Sequence, residues 1–140
     1  MTRPRLGHAG TAAAVLLSLG CARSPLVARP VTYPADAPEQ AALRPMQSDL
    51  RNLATAQEAY FAEHTTYAAG HDALAPTYRA SPDVTVVVLG GDSSGWAATA
   101  RHTTLRDVTC RIRVGTPPAA AAPWAAAQDE GKVVCVSLQR

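Results

Sequence analysis

The sequence predicts an α+β fold: one long amphipathic amino-terminal helix packed on a four-stranded antiparallel sheet. Three observations predict it. Across residues 46–64 the apolar side chains recur at helical period. Beyond Pro82 the period drops to two, in four short segments, the first and last of them rich in Val. Turn-forming or low-complexity stretches separate those segments, and a helix followed by a run of strands places the helix across one sheet face.

The chain begins MTRPRLGHAGTAAAVLLSLGC, with Arg3 and Arg5 before an apolar run over residues 12–19. Eight apolar residues are too few to cross a hydrocarbon core, which takes about 20 in a helix. A basic start, a short apolar run and then Gly20 have the layout of a secretory signal peptide covering residues 1–20. Its end, SLGC, resembles the lipobox of bacterial lipoproteins, although Leu17 stands one place earlier than the usual leucine. The resemblance implies that Cys21 receives a diacylglyceryl group and becomes the first residue. Acyl chains then attach the protein to a membrane, at about 0.8 kcal/mol per buried methylene. Ala22, rather than Asp, follows the cysteine, so the implied location is the cell envelope, at the outer membrane rather than the inner. The competing reading is cleavage near residue 21 without lipid, which leaves a soluble periplasmic protein.

Pro25, Pro30, Pro34, Pro38 and Pro45 punctuate the next segment, which has no periodic apolar pattern. Proline fixes φ and pushes the preceding residue toward extended geometry. Residues 21–45 therefore read as a proline-rich tether, and residues 46–140 as the folded domain.

In the predicted helix, Met46, Leu50, Leu53, Ala54, Gln57, Tyr60, Phe61 and His64 fall within about 120° of arc at 100° per residue. Asp49, Arg51, Asn52, Thr55, Glu58 and Glu63 take the opposite, solvated side. Pro45 suits the first helical position, where its missing N–H costs nothing. Gln57 breaks the apolar stripe, and a buried amide there needs a partner such as a backbone group of the sheet.

The strands are predicted at residues 83–89 (DVTVVVL), 96–102, 109–114 and 132–138 (KVVCVSL). GGDSSG at residues 90–95 marks a hairpin. In the third strand Cys110, Ile112 and Val114 alternate with Thr109, Arg111 and Arg113, so one face is apolar and the other solvated. The three cysteines lie at 21, 110 and 135. With the first set aside for lipid, Cys110 and Cys135 form an exported pair without a CxxC spacing, most simply a disulfide. That bond would fasten the Ala- and Pro-rich loop at residues 115–131.

One stretch is more distinctive. DLRNLATAQEAYFAEHTTY, the single helix, the sheet after it and the carboxyl-terminal cysteine pair resemble the globular domain of a type IV pilin or pseudopilin over residues 46–138. The resemblance implies a pilin-like fold, and a role in a pilus or type II secretion-like system. In pilins the cysteine-bounded segment is variable and often adhesive; here it spans residues 111–134, with Arg111, Trp124, Asp129 and Glu130 as candidate partner-binding residues. Trp124 either packs the loop down or stands out as an aromatic anchor. The departure from pilins is the absence of their cleavage site and of the ~20 apolar residues that build a filament core. Polymerisation as a main subunit is therefore not expected, and lipid on Cys21 would do the anchoring.

Other classes find little support. Formal charge is +2, from 13 basic and 11 acidic residues. Losing Arg3 and Arg5 leaves 11 of each, and a neutral chain without a basic cluster argues against nucleic acid. Glu58 and Glu63 sit on the solvated helix face. Ser81, Ser93 and Ser94 lack a GxSxG elbow, so a small hydrolase finds no nucleophile and base. His64, His71 and His102 would have to converge to hold a metal. The expected function is thus non-enzymatic, without cofactor or metal: a lipid-anchored envelope protein acting by protein–protein contact.

Overall fold

The computed structural model describes residues 27–121 and 129–139. Strand β1 (Val27–Pro30) comes first, then helix α1 (Pro38–His64). A short 3₁₀ turn (Asp72–Leu74) interrupts the connection to β2 (Val84–Gly91), β3 (Gly95–His102), β4 (Leu105–Gly115) and β5 (Val134–Gln139). All neighbouring strands are antiparallel, in the order β1-β5-β4-β3-β2.

The expected fold needs correction. Among the described residues the sheet has five strands rather than four, and a strand precedes the helix. Residues 27–30 and 38–45, read as tether, are β1 and the first turns of α1. Strand β1 is only VARP, with a proline, and proline is tolerated in a strand that lies at a sheet edge. Its place is set by long-range pairing with β5 (Arg29 opposite Ser137) and by the Val31 N–H donating to the Cys135 carbonyl at 3.0 Å. No local pattern carries that information. Helix α1 starts at Pro38, the proline at its first turn, whereas Pro45 lies inside it. An interior proline forfeits one backbone hydrogen bond. Burial of Ala42 and Leu43 on the turn before it, with Met46 just after, offsets that loss.

Only one arc of α1 is buried: Ala42, Leu43, Met46, Asp49, Leu50, Leu53, Ala56 and Gln57. At 100° per residue this arc spans about 140° and is displaced by about 30° from the predicted stripe. The displacement brings in Asp49, expected in solvent, and burial ends at Gln57. His64, expected on the buried face, is exposed, its ring stacked on Tyr60 at 4.0 Å.

Helix α1 lies chiefly over β3, where Ala98 and Ala100 are fully buried and small enough for close approach. Met46, Leu50 and Leu53 pack with Trp96, Val84, Val88, Val108, Ile112 and Cys110. Each such side chain contributes about 2 kcal/mol by leaving water.

Two buried polar side chains of α1 hold the long connection over residues 65–83. Near its start, the Gln57 amide grips one residue in both directions: Nε2 donates to the Ala68 carbonyl at 3.0 Å, and Oε1 accepts the Ala68 N–H at 2.8 Å. Near its end, the Asp49 carboxylate accepts the Ser81 N–H and the Ser81 hydroxyl, both at 2.8 Å. The partner expected for Gln57 was a sheet strand; the true partner is this loop. The strand end comes close all the same, since a Cβ on Gly91 would sit 2.6 Å from the Ala68 oxygen. Tyr67 N–H then donates to the Asp92 carbonyl at 3.1 Å, tying the loop to the β2–β3 turn.

Two predictions follow from these clasps. Gln57→Ala strands both polar groups of Ala68 and leaves a void, so urea unfolding should show a loss of about 3 kcal/mol. Asp49→Ala should lose about 2 kcal/mol, and Thr55→Ala on the exposed face less than about 0.5 kcal/mol. Equal small effects at all three positions would contradict the assigned roles.

Tyr78 supplies the second test. Burial, and then the Asp49 charge, push its phenol well above the usual tyrosine range. The folded state therefore holds this proton more tightly than the unfolded chain. That contribution is complete below pH ~10, where unfolded tyrosine titrates, and fades as pH rises beyond it. Absorbance at 295 nm should show Tyr78 ionising only as helix signal is lost. Ionisation of all four tyrosines with the fold intact would contradict the burial.

Candidate functional site

Strands β4 and β5 place Cys110 opposite Cys135, and the two are bonded across a separation of 25 residues. Both sulfurs face the helix side of the sheet, and Gln47 Nε2 approaches Cys135 Sγ at 3.7 Å. The bond closes the base of the segment between the two strands. Hydrogen bonds fasten the same segment higher up. Gly131 N–H donates to the Arg113 carbonyl at 2.8 Å, Gly115 N–H to Glu130 Oε1 at 3.1 Å, and Arg113 Nη1 to the Gly115 carbonyl at 2.6 Å.

The turn residues are suited to this end of the sheet. Gly115 has φ +64°, and a Cβ there would collide with the Ser94 carbonyl oxygen. Asp92 Oδ1 accepts the N–H groups of Ser94 and Gly95 at 2.7 and 3.2 Å, closing the GGDSSG hairpin. Thr116 N–H donates to Ser94. The rim is therefore a rigid pair of turns, β2–β3 and the start of the cysteine-bounded loop.

Of the residues singled out from sequence, Cys110 and Cys135 are brought together. Arg111 is half-buried in register with Thr99 and Val134. Glu130 caps the Gly115 amide, and the Asp129 carbonyl accepts the Lys132 N–H at 3.1 Å. These groups build the foot of the loop. Cys21 and Trp124 lie outside the described residues.

The sheet face turned away from α1 is not uniformly solvated. Ala97, on that face, is fully buried, and Ala121 is buried with its Cβ 3.1 Å from the position a Cβ on Gly90 would take. The start of the loop thus folds over this face. Beside it, on edge strand β2, Val87 and Leu89 are large apolar side chains exposed at 46% and 40%. The sequence carried a signal for them: VTVVVL is apolar at successive positions, so a strand burying one face leaves valine and leucine on the other. An uncharged edge of this kind, with no strand beyond it among the described residues, invites contact with another chain. Together, the β2 edge, the two turns and the pinned loop form the candidate interaction site.

Among the described residues a catalytic arrangement is not evident. The Ser81 hydroxyl directs its proton at Asp49. A cleft of about 350 Å³ beside Tyr60, Glu63, His64 and Thr77 is lined by exposed or half-buried side chains. Among the described residues no three His, Cys, Asp or Glu side chains converge to hold a metal, and no helix is long and apolar enough to cross a membrane.

No protein-family model matches the sequence, and no curated protein is significantly similar to it.

Breaking the disulfide tests the foot of the site. In the chain-entropy picture a loop of 25 residues is worth about 3.5 kcal/mol, so Cys110→Ala with Cys135→Ala should lower unfolding stability by about that amount. A non-reducing peptide map should recover the two cysteines in one cross-linked fragment; free thiols at both positions would contradict the bond.

Proposed function

We propose that this protein is a non-enzymatic, lipid-anchored protein of a bacterial envelope, fastened through Cys21 and acting by protein–protein contact. The observation that carries this reading is the amino end, MTRPRLGHAGTAAAVLLSLGC, placed against the start of the fold. Only residues 22–26 separate Cys21 from β1. The chain enters α1 from that strand, through residues 31–37, so the helix cannot run back into a membrane. Attachment through the cysteine suits that layout. Two acyl chains suffice for stable anchoring where one does not.

The layout of the sheet supports a display role. Strand β1 runs in the same direction as β4, because each is antiparallel to β5. Val27 is level with Arg106 by this register, nine residues before Gly115. At about 3.4 Å per residue the pinned loop and the β2–β3 turn stand ~30 Å beyond the attachment end. The exposed Val87 and Leu89 give the contact surface its apolar component. The likeness of residues 49–67 to pilin helices favours a place as accessory to a type IV pilus or type II secretion-like system.

Intact-mass and peptide analysis of the mature native protein should find Cys21 as an acylated first residue, retained with membranes in high salt. An unmodified terminus near residue 21, with release of the protein by washing, would overturn the anchored reading in favour of a soluble periplasmic binding protein.

A further inference from the structure

The attachment end of the sheet carries an unassigned pocket. It is a cavity of about 350 Å³ lined by Thr85, Arg101, His102, Thr103 and Arg106, where the β3–β4 hairpin meets the start of β2. Arg101 and Thr85 are cross-strand partners. Both guanidinium groups are oriented through a single nitrogen. Arg101 Nε donates to Thr109 Oγ1 at 3.1 Å, and Arg106 Nε donates to the Thr103 carbonyl at 3.1 Å. Neither arginine is ion-paired among the described residues, so their terminal nitrogens keep donors to offer. His102 is also fixed. The Thr104 N–H donates to its Nδ1 at 3.2 Å, which leaves the ring proton on Nε2. At the rim the Thr103 hydroxyl donates to the Asp83 carboxylate at 3.4 Å.

We infer that this pocket binds the oxyanion of a phosphate ester. Two planar guanidinium groups with fixed Nε atoms present forked donors that match phosphate oxygens, and charge-assisted bonds of this kind are roughly twice as strong as neutral ones. The hydroxyl of Thr85 supplies a further donor at the mouth.

The position of the pocket names the source of the phosphate, a step that rests on the anchoring reading above. Arg106 is level with Val27, and Val27 is six residues after Cys21. Six residues reach at most about 20 Å. Three strand spacings, about 15 Å, separate β1 from β3. A lipid on Cys21 therefore lets the pocket come within headgroup distance of the membrane, and on that reading the ligand is the phosphate of an anionic phospholipid. Such a contact would fix the orientation of the domain on its anchor and point the cysteine-bounded loop away from the bilayer.

The test uses the native mature protein in neutral detergent micelles, with amide NMR as the readout and the state of Cys21 established by mass on the same sample. Inorganic phosphate should shift the amides of Thr85, Thr103 and Arg106 saturably. Phosphatidylglycerol added to the micelles should give the same shifts, while phosphatidylcholine should not. Arg101→Gln with Arg106→Gln, both exposed positions, should weaken the response at least tenfold with an unchanged melting temperature. Saturation by phosphate without a response to phosphatidylglycerol would uphold the pocket and overturn the lipid as its source. No localised response to either, or an equal response in the double variant, would overturn the pocket itself. An unacylated Cys21 beside a normal phosphate response would remove the anchor and leave the anion site standing.

Discussion

The packing of this small domain depends on two polar side chains inside an apolar helix stripe. Gln57 holds Ala68, and Asp49 holds Ser81. They lie eight residues apart, or about 12 Å along the helix axis. Between the gripped residues runs a connection whose regular structure is a three-residue turn. Such a segment has many backbone groups to satisfy and little apolar surface of its own. Buried polar groups left without partners cost a few kcal/mol each, and satisfied ones specify a single arrangement. With both clasps closed, Leu74 and Tyr78 are delivered to the core and β2 starts in register. The Ala68 carbonyl also meets Gly91, where a side chain would not fit, so the helix, the loop and the β2–β3 turn share one corner.

From that corner the molecule has two dissimilar ends. At one lie Val27, the start of α1 beside Thr104 and Leu105, and the arginine pocket. At the other lie the β2–β3 turn, Gly115 and the loop pinned by the disulfide and Glu130. Val27, the first described residue, and the proposed contact surface lie at opposite ends of the sheet, an arrangement that fits the proposed display. The disulfide sits between them, under α1, so a single covalent bond ties the foot of the loop to the same core that the helix covers.

The four later strands and the disulfide could be read from the residues; the fifth strand and the start of the helix could not. Alternation placed strands at residues 83–89, 96–102, 109–114 and 132–138, and every one of these segments lies largely in an observed strand. Cysteine usage identified the bonded pair. What escaped was set by distant partners. VARP becomes a strand because β5 offers it an edge, and PEQAALRP becomes helix because Ala42 and Leu43 find the core despite Pro45. Asp49 was misplaced because a charged side chain was assigned to solvent, although it stands three residues after Met46 and four before Leu53. Those spacings put it on the buried face, and only the Ser81 partner, 32 residues away, makes the position tolerable. The arginine pocket was equally hidden, since its parts come from three separate strand ends.

Native-state hydrogen exchange of the Ala68 and Ser81 amides tests the clasps most directly. These two N–H groups bond to side chains in a connection that is otherwise mostly irregular. They should exchange about as slowly as core amides of β3, through global unfolding, while Ala69 and Gly70 exchange orders of magnitude faster. If Ala68 and Ser81 exchange as fast as their loop neighbours, the connection opens independently of the core, and the role given to Gln57 and Asp49 is wrong.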